Sequence, residues 1–340
     1  MIIPYFRSSS YNGFSICQMQ YFLTYVLGLP AVTGKRAEMG TIVHKVFECL
    51  ANAKLCHQKG TKSFKDDTFG TMKVDHEYMY GASYVQYLID KAYDHYVGKS
   101  PHKWYPRDKR DCTEWVGNVV REEMFDPRNL HVIAAEPHFN IPIEEPWAYY
   151  NFALPNGKTL DGQLCIKGTI DLVTKLDDHR YEIIDWKSGQ RKDWATGERK
   201  DFWKLTKDPQ LLMYNYAAET MYPDMQTLMT IHFVRDGGPF TMAFSEEDRK
   251  YTLDMLHKRF DIIANMMRPA LKCTDRWFCN RVCYYGKKAY SPTKLNNRTG
   301  QPHTICSYLH QKLLTQGIDK VMEEDTHPGF EIGHYQNPGS

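Results

Sequence analysis

Two runs of β-branched and aromatic residues, joined by a tight polar turn, constrain this chain more than any other feature of its sequence. The first run is GTIDLV at residues 168–173, and the second is YEIIDWKSG at residues 181–189. The polar turn between them, at residues 177–179, predicts that the two runs form a hairpin. Because side chains alternate along a strand, Asp185 and Lys187 should project to the same face. Two charged side chains spaced in this way share one site.

A second carboxylate in the first run indicates what that site does. Strand pairing would bring Asp171 beside Asp185, and two crowded carboxylates repel each other unless a cation lies between them. Hard oxygen ligands favour Mg²⁺ or Mn²⁺, and Lys187 could orient or deprotonate a water that attacks a phosphate. The three residues therefore predict phosphodiester hydrolysis. The alternative is that they are polar strand ends and a solvated lysine.

Five motifs of the chain occur in the order in which a known nuclease family carries them. They are SYNGFSICQMQYFLTYVLGL, MGTIVHKVFE, KGTIDLV, IIDWKSG and DPQLLMYNY, and they fall within residues 8–220. In this series the chain resembles the RecB-like branch of the PD-(D/E)XK nuclease superfamily. That branch includes helicase-linked nuclease domains and stand-alone CRISPR-associated exonucleases. The resemblance implies an α/β (mixed α+β) fold of the restriction-endonuclease type, with a central mixed sheet flanked by helices.

The resemblance also implies roles for the motif residues. The implied ligands of Mg or Mn are His44, Asp171, Asp185 and the main-chain carbonyl of Trp186. The implied catalytic residues are Asp171, Asp185, Lys187, Gln210 and Tyr214. Glu136, in a predicted strand ahead of Asp171, resembles an acidic residue that some relatives carry. Taken alone, His44 would be interpreted as a core histidine, and Gln210 with Tyr214 as an ordinary amphipathic face.

Nine cysteines provide a second group of candidate ligands. An odd number of cysteines without a signal-peptide pattern predicts a reducing, cytoplasmic setting in a bacterium or a phage-infected host. Relatives of this branch often hold an iron–sulfur cluster with one cysteine near the N-terminus and three near the C-terminus. The resemblance implies such a cluster on Cys17, Cys279, Cys283 and Cys306, with Cys273 as a substitute. Zinc on the same thiolates and free buried cysteines are the alternatives.

The formal net charge is +2, so charge alone identifies no partner. Residues 271–300 are locally basic, and so are residues 187–207, where Trp194, Phe202 and Trp203 are interleaved with the cations. Such segments could bind phosphates and stack bases, or they could be solvated loops. No stretch is interpreted as a membrane span. No complete P-loop is present, so any ATP-driven translocation would need a partner such as a helicase.

The sequence predicts four segments and one principal function. The segments are N-terminal helices (1–54), a helical insertion (55–130), a sheet core with the active site (131–270) and a basic, cysteine-rich segment that closes on the N-terminal helix (271–340). The predicted function is that of a metal-dependent DNA exonuclease, acting on single strands or DNA ends in phage or bacterial replication, recombination or repair. The alternatives are an endonuclease of the same superfamily and a catalytically idle DNA-binding protein. A homo-oligomer could form a channel from the modest positive charge.

Overall fold

The structure is a computed structural model that describes residues 1, 3–155, 157–192, 197–272, 277–296 and 300–330. The chain divides into two compact units. The first unit contains residues 1–32, 140–167 and those from 250 onwards, and the second contains residues 33–139 and 168–249. All predicted metal ligands and catalytic residues belong to the second unit. The predicted cluster cysteines belong to the first.

Helices and strands alternate along much of the chain. The helices are α1 (Ser8–Ile16), α2 (Gln18–Tyr21), α3 (Lys35–Lys59), α4 (Ala82–Lys99), α5 (Pro106–Val120), α6 (Phe202–Leu205), α7 (Pro209–Met221), α8 (Glu246–Ala264), α9 (Tyr284–Lys287) and α10 (Ile305–Asp325). The strands are β1 (Tyr5–Phe6), β2 (Ser63–Asp66), β3 (Gly70–Lys73), β4 (Val132–Ala135), β5 (His138–Pro142), β6 (Tyr149–Ala153), β7 (Thr159–Gln163), β8 (Cys165–Thr169), β9 (Leu172–Lys175), β10 (Arg180–Lys187), β11 (Gln226–Phe233) and β12 (Phe240–Ala243).

The second unit is built on a five-stranded mixed sheet in the order β12-β11-β10-β9-β4. β10 pairs antiparallel with β9, with Ile184 opposite Leu172, which confirms the predicted hairpin. β10 also pairs parallel with β11 over its whole length, so that Lys187 lies opposite Phe233. A strand with neighbours on both sides can pair its backbone N–H and C=O groups with those of the adjacent strands. Residues 182–186 of β10 can therefore be buried without leaving backbone groups unpaired. The predicted mixed α/β fold class is confirmed.

Helices α3, α4 and α5 share one apolar cluster with the sheet. Leu50 of α3, Leu88 of α4, Val116 of α5 and Ile184 of β10 are all buried in it. Burying an aliphatic side chain of this size contributes about 1.5–3 kcal/mol. The helices within residues 55–130 are therefore integral to the core of the second unit. That this segment is an insertion relative to other proteins stays a prediction.

The start of α7 is determined by local sequence. The Asp208 side chain accepts a hydrogen bond from the N–H of Gln210 at 3.0 Å, and Pro209 occupies the first helical position. Both features satisfy the needs of a helix N-terminus, where backbone N–H groups lack partners within the helix. An aspartate followed by proline in the sequence predicts such an N-cap, and the structure confirms it; Gln210 therefore lies in the first turn of α7.

The first unit shows a break that the sequence does not predict. The apolar spacing predicts one helix over residues 13–28, but Cys17 has an extended backbone (φ −160°, ψ 114°) that separates α1 from α2. Met19 N–H donates to the carbonyl of Ala270 at 3.1 Å, and the Gln18 side chain accepts from the Ala270 N–H at 2.8 Å. The single-helix prediction was wrong because the Met19 N–H and the Gln18 side chain, directly after Cys17, pair with Ala270, which is distant in sequence, instead of continuing the first helix.

The remainder of the first unit consists of small β elements and further helices. β1 pairs parallel with β8, and β6 pairs antiparallel with β7. α10 is kinked at Gly317, where φ is 84°, and Lys312 before the kink pairs with Asp325 at its end at 2.5 Å. The left-handed backbone at this position favours glycine. None of the described helices combines the length and apolar character that crossing a bilayer requires.

Candidate active site

Two neighbouring strands of the second unit bring the predicted aspartates together. Asp185 lies on β10, and Asp171 comes immediately before β9. The backbone N–H of Trp186 donates to Asp171 Oδ2 at 2.8 Å, which orients this carboxylate. Asp171 is 8% exposed and Asp185 is 1% exposed, and carboxylates buried to this extent need hydrogen-bonding or charged partners. The predicted use of the Trp186 carbonyl as a ligand stays a prediction.

His44 and Glu136 complete a cluster around Asp171. His44 lies near the middle of α3, and its Nδ1 is 3.4 Å from Asp171 Oδ2. One ligand atom each from His44, Glu136 and Asp171 lies within 4.8 Å of the other two. An imidazole nitrogen and two carboxylate oxygens at this spacing are a donor set that fits a divalent cation.

Glu136 enters this cluster through an uncommon backbone conformation. Its φ is 49°, the only positive value at a non-glycine residue in the described part of the chain. Its N–H donates to the carbonyl of Asp171 at 3.1 Å. A left-handed non-glycine residue costs about 1–3 kcal/mol, and such strain concentrates at functional sites. The ligand set implied by sequence leaves Glu136 out, although an acidic residue directly after a β-like run is the signal that points to it.

Asp185 is bound by two of the predicted catalytic side chains. Lys187 Nζ lies 2.6 Å from Asp185 Oδ2, and Gln210 Nε2 donates to Asp185 Oδ1 at 2.8 Å. The ion pair shows that Asp185 and Lys187 share a face of β10. Asp185 is not among the residues whose ligand atoms gather within 4.8 Å. The structure thus groups His44 with Asp171, and Asp185 with Lys187.

Burial and crowding of carboxylates control the electrostatics of the site. Burial raises the pKa of Asp185 to about 6, with Lys187 opposing the shift and Asp171 adding to it. Burial and the charge of Asp171 raise the pKa of Glu136 to about 8. Burial disfavours the charged form of His44, but Asp171 and Glu136 outweigh it and raise its pKa to about 9. A site with these properties favours positive charge, which a divalent cation would supply.

Tyr214 lies one helical turn beyond Gln210 and is buried beside the aspartates. Burial raises the pKa of Tyr214 well above its usual value, and the two nearby aspartates act in the same direction. Its ring packs edge-on against Phe139, with 5.7 Å between the ring centroids. A Cβ added at Gly168 would collide with the Phe139 ring. The glycine of the GTIDLV motif therefore leaves the space that this aromatic pair occupies.

The glycine of the GTIVH motif permits a close approach between α3 and the sheet. Gly40 lies one turn before His44, and a Cβ added there would collide with the Oγ of Ser188. Ser188 directly follows Lys187 at the end of β10. The absence of a side chain at Gly40 lets this part of α3 pack against the end of the catalytic strand. The same approach places His44 next to Asp171.

Replacing Gly40 by alanine should lower both stability and activity. Alanine stabilises a helix interior by about 1 kcal/mol relative to glycine, but overpacking against Ser188 should cost about 1–3 kcal/mol. The displacement of α3 should also reduce the cleavage rate. Urea unfolding and a cleavage assay measure the two effects. The double variant Gly40→Ala/Ser188→Gly should recover both, because it removes the obstructing hydroxymethyl group.

Gly98 in α4 provides the matched control for this substitution. A Cβ added at Gly98 meets nothing within 4 Å, so Gly98→Ala should be neutral or stabilising. If Gly40→Ala behaved like Gly98→Ala in both measurements, the close approach of α3 would not matter for the site.

The basic loop after β10 exposes two aromatic rings. Phe202 and Trp203, on the short helix α6, are 41% and 76% exposed and contact each other edge-on at 5.9 Å. Lys200 pairs with Asp208 at 2.5 Å, which ties the loop to the N-cap of α7. Trp194, the third aromatic residue predicted to lie in this loop, falls outside the described residues.

The candidate cluster cysteines lie in the first unit. Cys17 and Cys283 are buried, whereas Cys279 and Cys306 are half-buried. Burial raises the pKa of Cys306 to about 12, and the thiols of the other three add to the shift. The Cys306 thiol therefore lies close enough to those of Cys17, Cys279 and Cys283 to interact with each of them electrostatically. Cys273, the predicted substitute, lies outside the described residues.

Comparison with known proteins assigns the family. The model of the PD-(D/E)XK nuclease superfamily matches residues 8–287. No match was found among curated proteins. A solved structure from Eubacterium rectale, named as a candidate exonuclease, is 10% identical over 79% of this chain and 85% of that chain, with a TM-score of 0.38. The structure of SSO0001 is 12% identical over 73% of this chain and 97% of that chain, with a TM-score of 0.26. At these scores neither structure adds to the assignment, which rests on the family match.

Proposed function

This chain belongs to the PD-(D/E)XK nuclease superfamily, and from that membership we propose that it is a metal-dependent DNA exonuclease acting on single strands or DNA ends. The proposed setting is replication, recombination or repair in a phage or a bacterium. The supporting observation is the convergence of an imidazole, carboxylates and an ammonium group at one end of a hairpin in the second unit.

The proposed metal ligands are His44, Asp171 and Asp185, to which the geometry adds Glu136. Their imidazole nitrogen and carboxylate oxygens suit Mg²⁺ or Mn²⁺. A bound divalent cation would supply Lewis-acid stabilisation of the charge that develops on the scissile phosphate. The protein contributes the orientation of these donors, through the Trp186 N–H at Asp171 and the Gln210 amide at Asp185.

Lys187 acts as a hydrogen-bond donor to the attacking water in this proposal. Burial works against its charge, but Asp185 and Asp171 outweigh burial and raise the pKa of Lys187 above its usual value. An ammonium group in that state holds its proton, so it orients the water instead of deprotonating it. Gln210 keeps the Asp185 carboxylate in place through its hydrogen bond. Tyr214, one turn further along the same face of α7, packs against Phe139 and so helps to hold this helix next to the site.

A preference for unpaired DNA is supported by the exposed pair of Phe202 and Trp203. Exposed rings beside cations stack on unpaired bases, and each such stack contributes about 1–3 kcal/mol. The bases of a duplex are already stacked and paired, so they cannot use these rings without opening. Lys200 ties this loop to the N-cap of α7, and Gln210 lies in the first turn of that helix. We therefore expect a strand bound by the rings to pass close to Gln210.

Linear and circular single-stranded DNA distinguish the proposed activity from its alternatives. The protein should release nucleotides from end-labelled linear DNA in Mg²⁺ or Mn²⁺, and a chelator should abolish this release. A strict exonuclease cannot start on a circle, so circular DNA should stay intact. Cleavage of the circle would instead establish the alternative endonuclease, and DNA binding without cleavage in either metal would establish a catalytically idle protein.

An iron–sulfur cluster on Cys17, Cys279, Cys283 and Cys306 is also proposed. The supporting observation is that burial and the charges of the other three thiols all raise the pKa of Cys306. Zinc on the same thiolates stays the alternative. A cluster with ligands from both ends of the sequence would tie the first unit together.

The visible spectrum of protein purified anaerobically tests the cluster. We expect a brown protein that absorbs near 400 nm, and the absorption should be lost in Cys306→Ala but kept in Cys112→Ala. Cys112 is a buried cysteine of the second unit and serves as the matched control. A colourless wild-type protein that contains no iron would refute the cluster.

The remaining expectations from sequence also stay proposals. They concern a cytoplasmic location, assembly with further copies of this chain, and cooperation with a helicase that supplies translocation.

A further inference from the structure

One surface of the second unit collects cations and aromatic rings that the proposed mechanism does not use. It is formed by the start of α3, the residues around the start of α5, and the segment after β11. Its cations are Lys35, Arg36, Lys103, Arg107, Arg110 and Arg235, and its rings are Tyr105 and Trp115. We refer to these eight residues as the basic surface.

Tyr105 organises one half of the basic surface. Its ring is 42% exposed, and the charged groups of Lys35, Lys103 and Arg107 lie 4.9, 5.4 and 5.6 Å from its centroid. Tyr105, Arg107 and Arg110 are among the residues that line a surface pocket of about 490 Å³. Cation–π contacts hold long, flexible side chains in place, which reduces the entropy lost when they bind a ligand.

Trp115 organises the other half. The guanidinium carbons of Arg36 and Arg235 lie 5.8 and 4.8 Å from its ring centroid. Burial and the charge of Arg36 lower the pKa of Arg235, which shows that the two cations repel each other. Arginine presents planar, bidentate donors that match phosphate oxygens, and a bound anion would relieve the repulsion.

The carboxylates near the basic surface balance only part of its charge. Lys35 pairs with Asp108 at 2.6 Å, and Arg36 pairs with Asp111 at 3.3 Å. Among the described residues, no carboxylate lies within 4.0 Å of the charged groups of the other cations in the first half. Those cations are Lys103, Arg107 and Arg110, and all three side chains are exposed. The surface is therefore a local concentration of positive charge on a chain whose net charge is only +2.

Two elements connect the basic surface to the candidate active site. α3 begins at Lys35 and reaches His44 nine residues later, which corresponds to about 13 Å along a helix. Arg235 lies two residues beyond Phe233, and Phe233 pairs in register with Lys187. A strand of a duplex advances 3.4 Å per nucleotide and an unpaired strand can extend further, so at most about four nucleotides span this distance.

We propose that the basic surface binds the phosphate backbone of the substrate strand within about four nucleotides of the phosphate that is cleaved. The proposal rests on the nuclease function proposed above and names a binding surface for its substrate. Contacts to phosphates position a strand without reading its sequence, so the surface should contribute equally to all sequences. Each phosphate contact releases counterions, which makes the contribution dependent on salt.

The test compares two triple variants that remove the same charge. Lys103→Ala/Arg107→Ala/Arg110→Ala removes exposed cations of the basic surface. Lys59→Ala/Lys62→Ala/Lys73→Ala removes exposed lysines around the opposite end of α3, where Lys59 lies about 36 Å from Lys35 along the helix. Binding of a labelled single-stranded oligonucleotide is measured in chelator, so that cleavage does not interfere, over a range of salt concentrations.

The basic-surface variant should bind at least about tenfold more weakly at 0.1 M salt than the control variant. The slope of log Kd against log salt should also decrease by about 2, since each lost contact to single-stranded DNA contributes about 0.7. Neutral methylphosphonate linkages placed about two to four nucleotides from the cleaved end should weaken binding of wild-type protein. They should have little further effect on the basic-surface variant.

The outcomes separate this inference from the proposed function. If the wild type degrades DNA but both triple variants bind with the same affinity and salt slope, the basic surface does not bind the substrate and the inference is overturned, leaving the nuclease function intact. A wild type that neither binds nor cleaves DNA in Mg²⁺ or Mn²⁺ would refute the proposed function itself.

Discussion

Replacing Lys187 by alanine should reduce the cleavage rate at least about a hundredfold while leaving the protein folded. Removing one well-placed donor from a catalytic site typically costs about 10²–10³ in rate. The substitution also leaves the buried Asp185 carboxylate with Gln210 as its remaining partner, which should lower the free energy of unfolding in chelator by about 1–3 kcal/mol. Cleavage assays under single-turnover conditions and urea unfolding measure the two effects.

The same variant should be stabilised more by divalent metal than the wild type is. Lys187 contacts Asp185 Oδ2 at 2.6 Å, so ammonium and metal compete for the same carboxylate. Removing the ammonium should tighten metal binding, and tighter binding stabilises the folded state further. The increase in melting temperature on addition of Mn²⁺ reports this difference.

Lys175 provides a closely matched control for Lys187. The side chain of Lys175 is 31% exposed and that of Lys187 is 29% exposed, and both form an ion pair at 2.6 Å. The partners differ, because Asp178 is 86% exposed whereas Asp185 is 1% exposed. Lys175→Ala should therefore change stability by less than about 1 kcal/mol and leave cleavage unaltered. Equal activity in the two variants would remove Lys187 from the mechanism.

Replacing Asp171 by asparagine should abolish metal-dependent cleavage, with a loss of about a thousandfold or more. The asparagine oxygen can still accept the hydrogen bond from Trp186 N–H, but it carries no charge to bind a cation. A ligand present at a hundred times its Kd stabilises a folded protein by about 2.7 kcal/mol. We expect Mn²⁺ to produce a stabilisation of this order in the wild type and almost none in Asp171→Asn.

Asp178→Asn is the control for this experiment, because it makes the same chemical change in the turn of the same hairpin. It should retain both activity and the stabilisation by metal. If Asp171→Asn were still stabilised by Mn²⁺ as much as the wild type, the cation would bind elsewhere and the proposed ligand set would be incorrect.

Local patterns in the sequence predict the elements that carry the catalytic side chains. Alternation along β10 predicts that Asp185 and Lys187 share a face, and their ion pair confirms this. Asp208 followed by Pro209 predicts the start of α7, and the helix begins there. These predictions succeed because side-chain direction in a strand and capping of a helix depend on residues only a few positions apart.

The position of Glu136 in the site could not be predicted from local sequence patterns. Its approach to His44 and Asp171 depends on a left-handed backbone, and on a hydrogen bond to a residue 35 positions later in the sequence. The break at Cys17 has the same origin, since the Met19 N–H and the Gln18 side chain that follow it pair with Ala270, a residue distant in sequence. No periodic pattern contains information about such contacts.

The sequence by itself determined the chemistry available to this protein: which side chains carry charge, which face of a strand or helix they occupy, and to which family the ordered motifs belong. The tertiary structure alone decided which of these groups meet. It added Glu136 to the cluster around Asp171, explained Gly40 through its approach to Ser188, and assembled the basic surface from three separate segments. The physical reason is that strand alternation and helix capping follow from local backbone geometry, whereas contacts between distant segments depend on the packing of the whole unit.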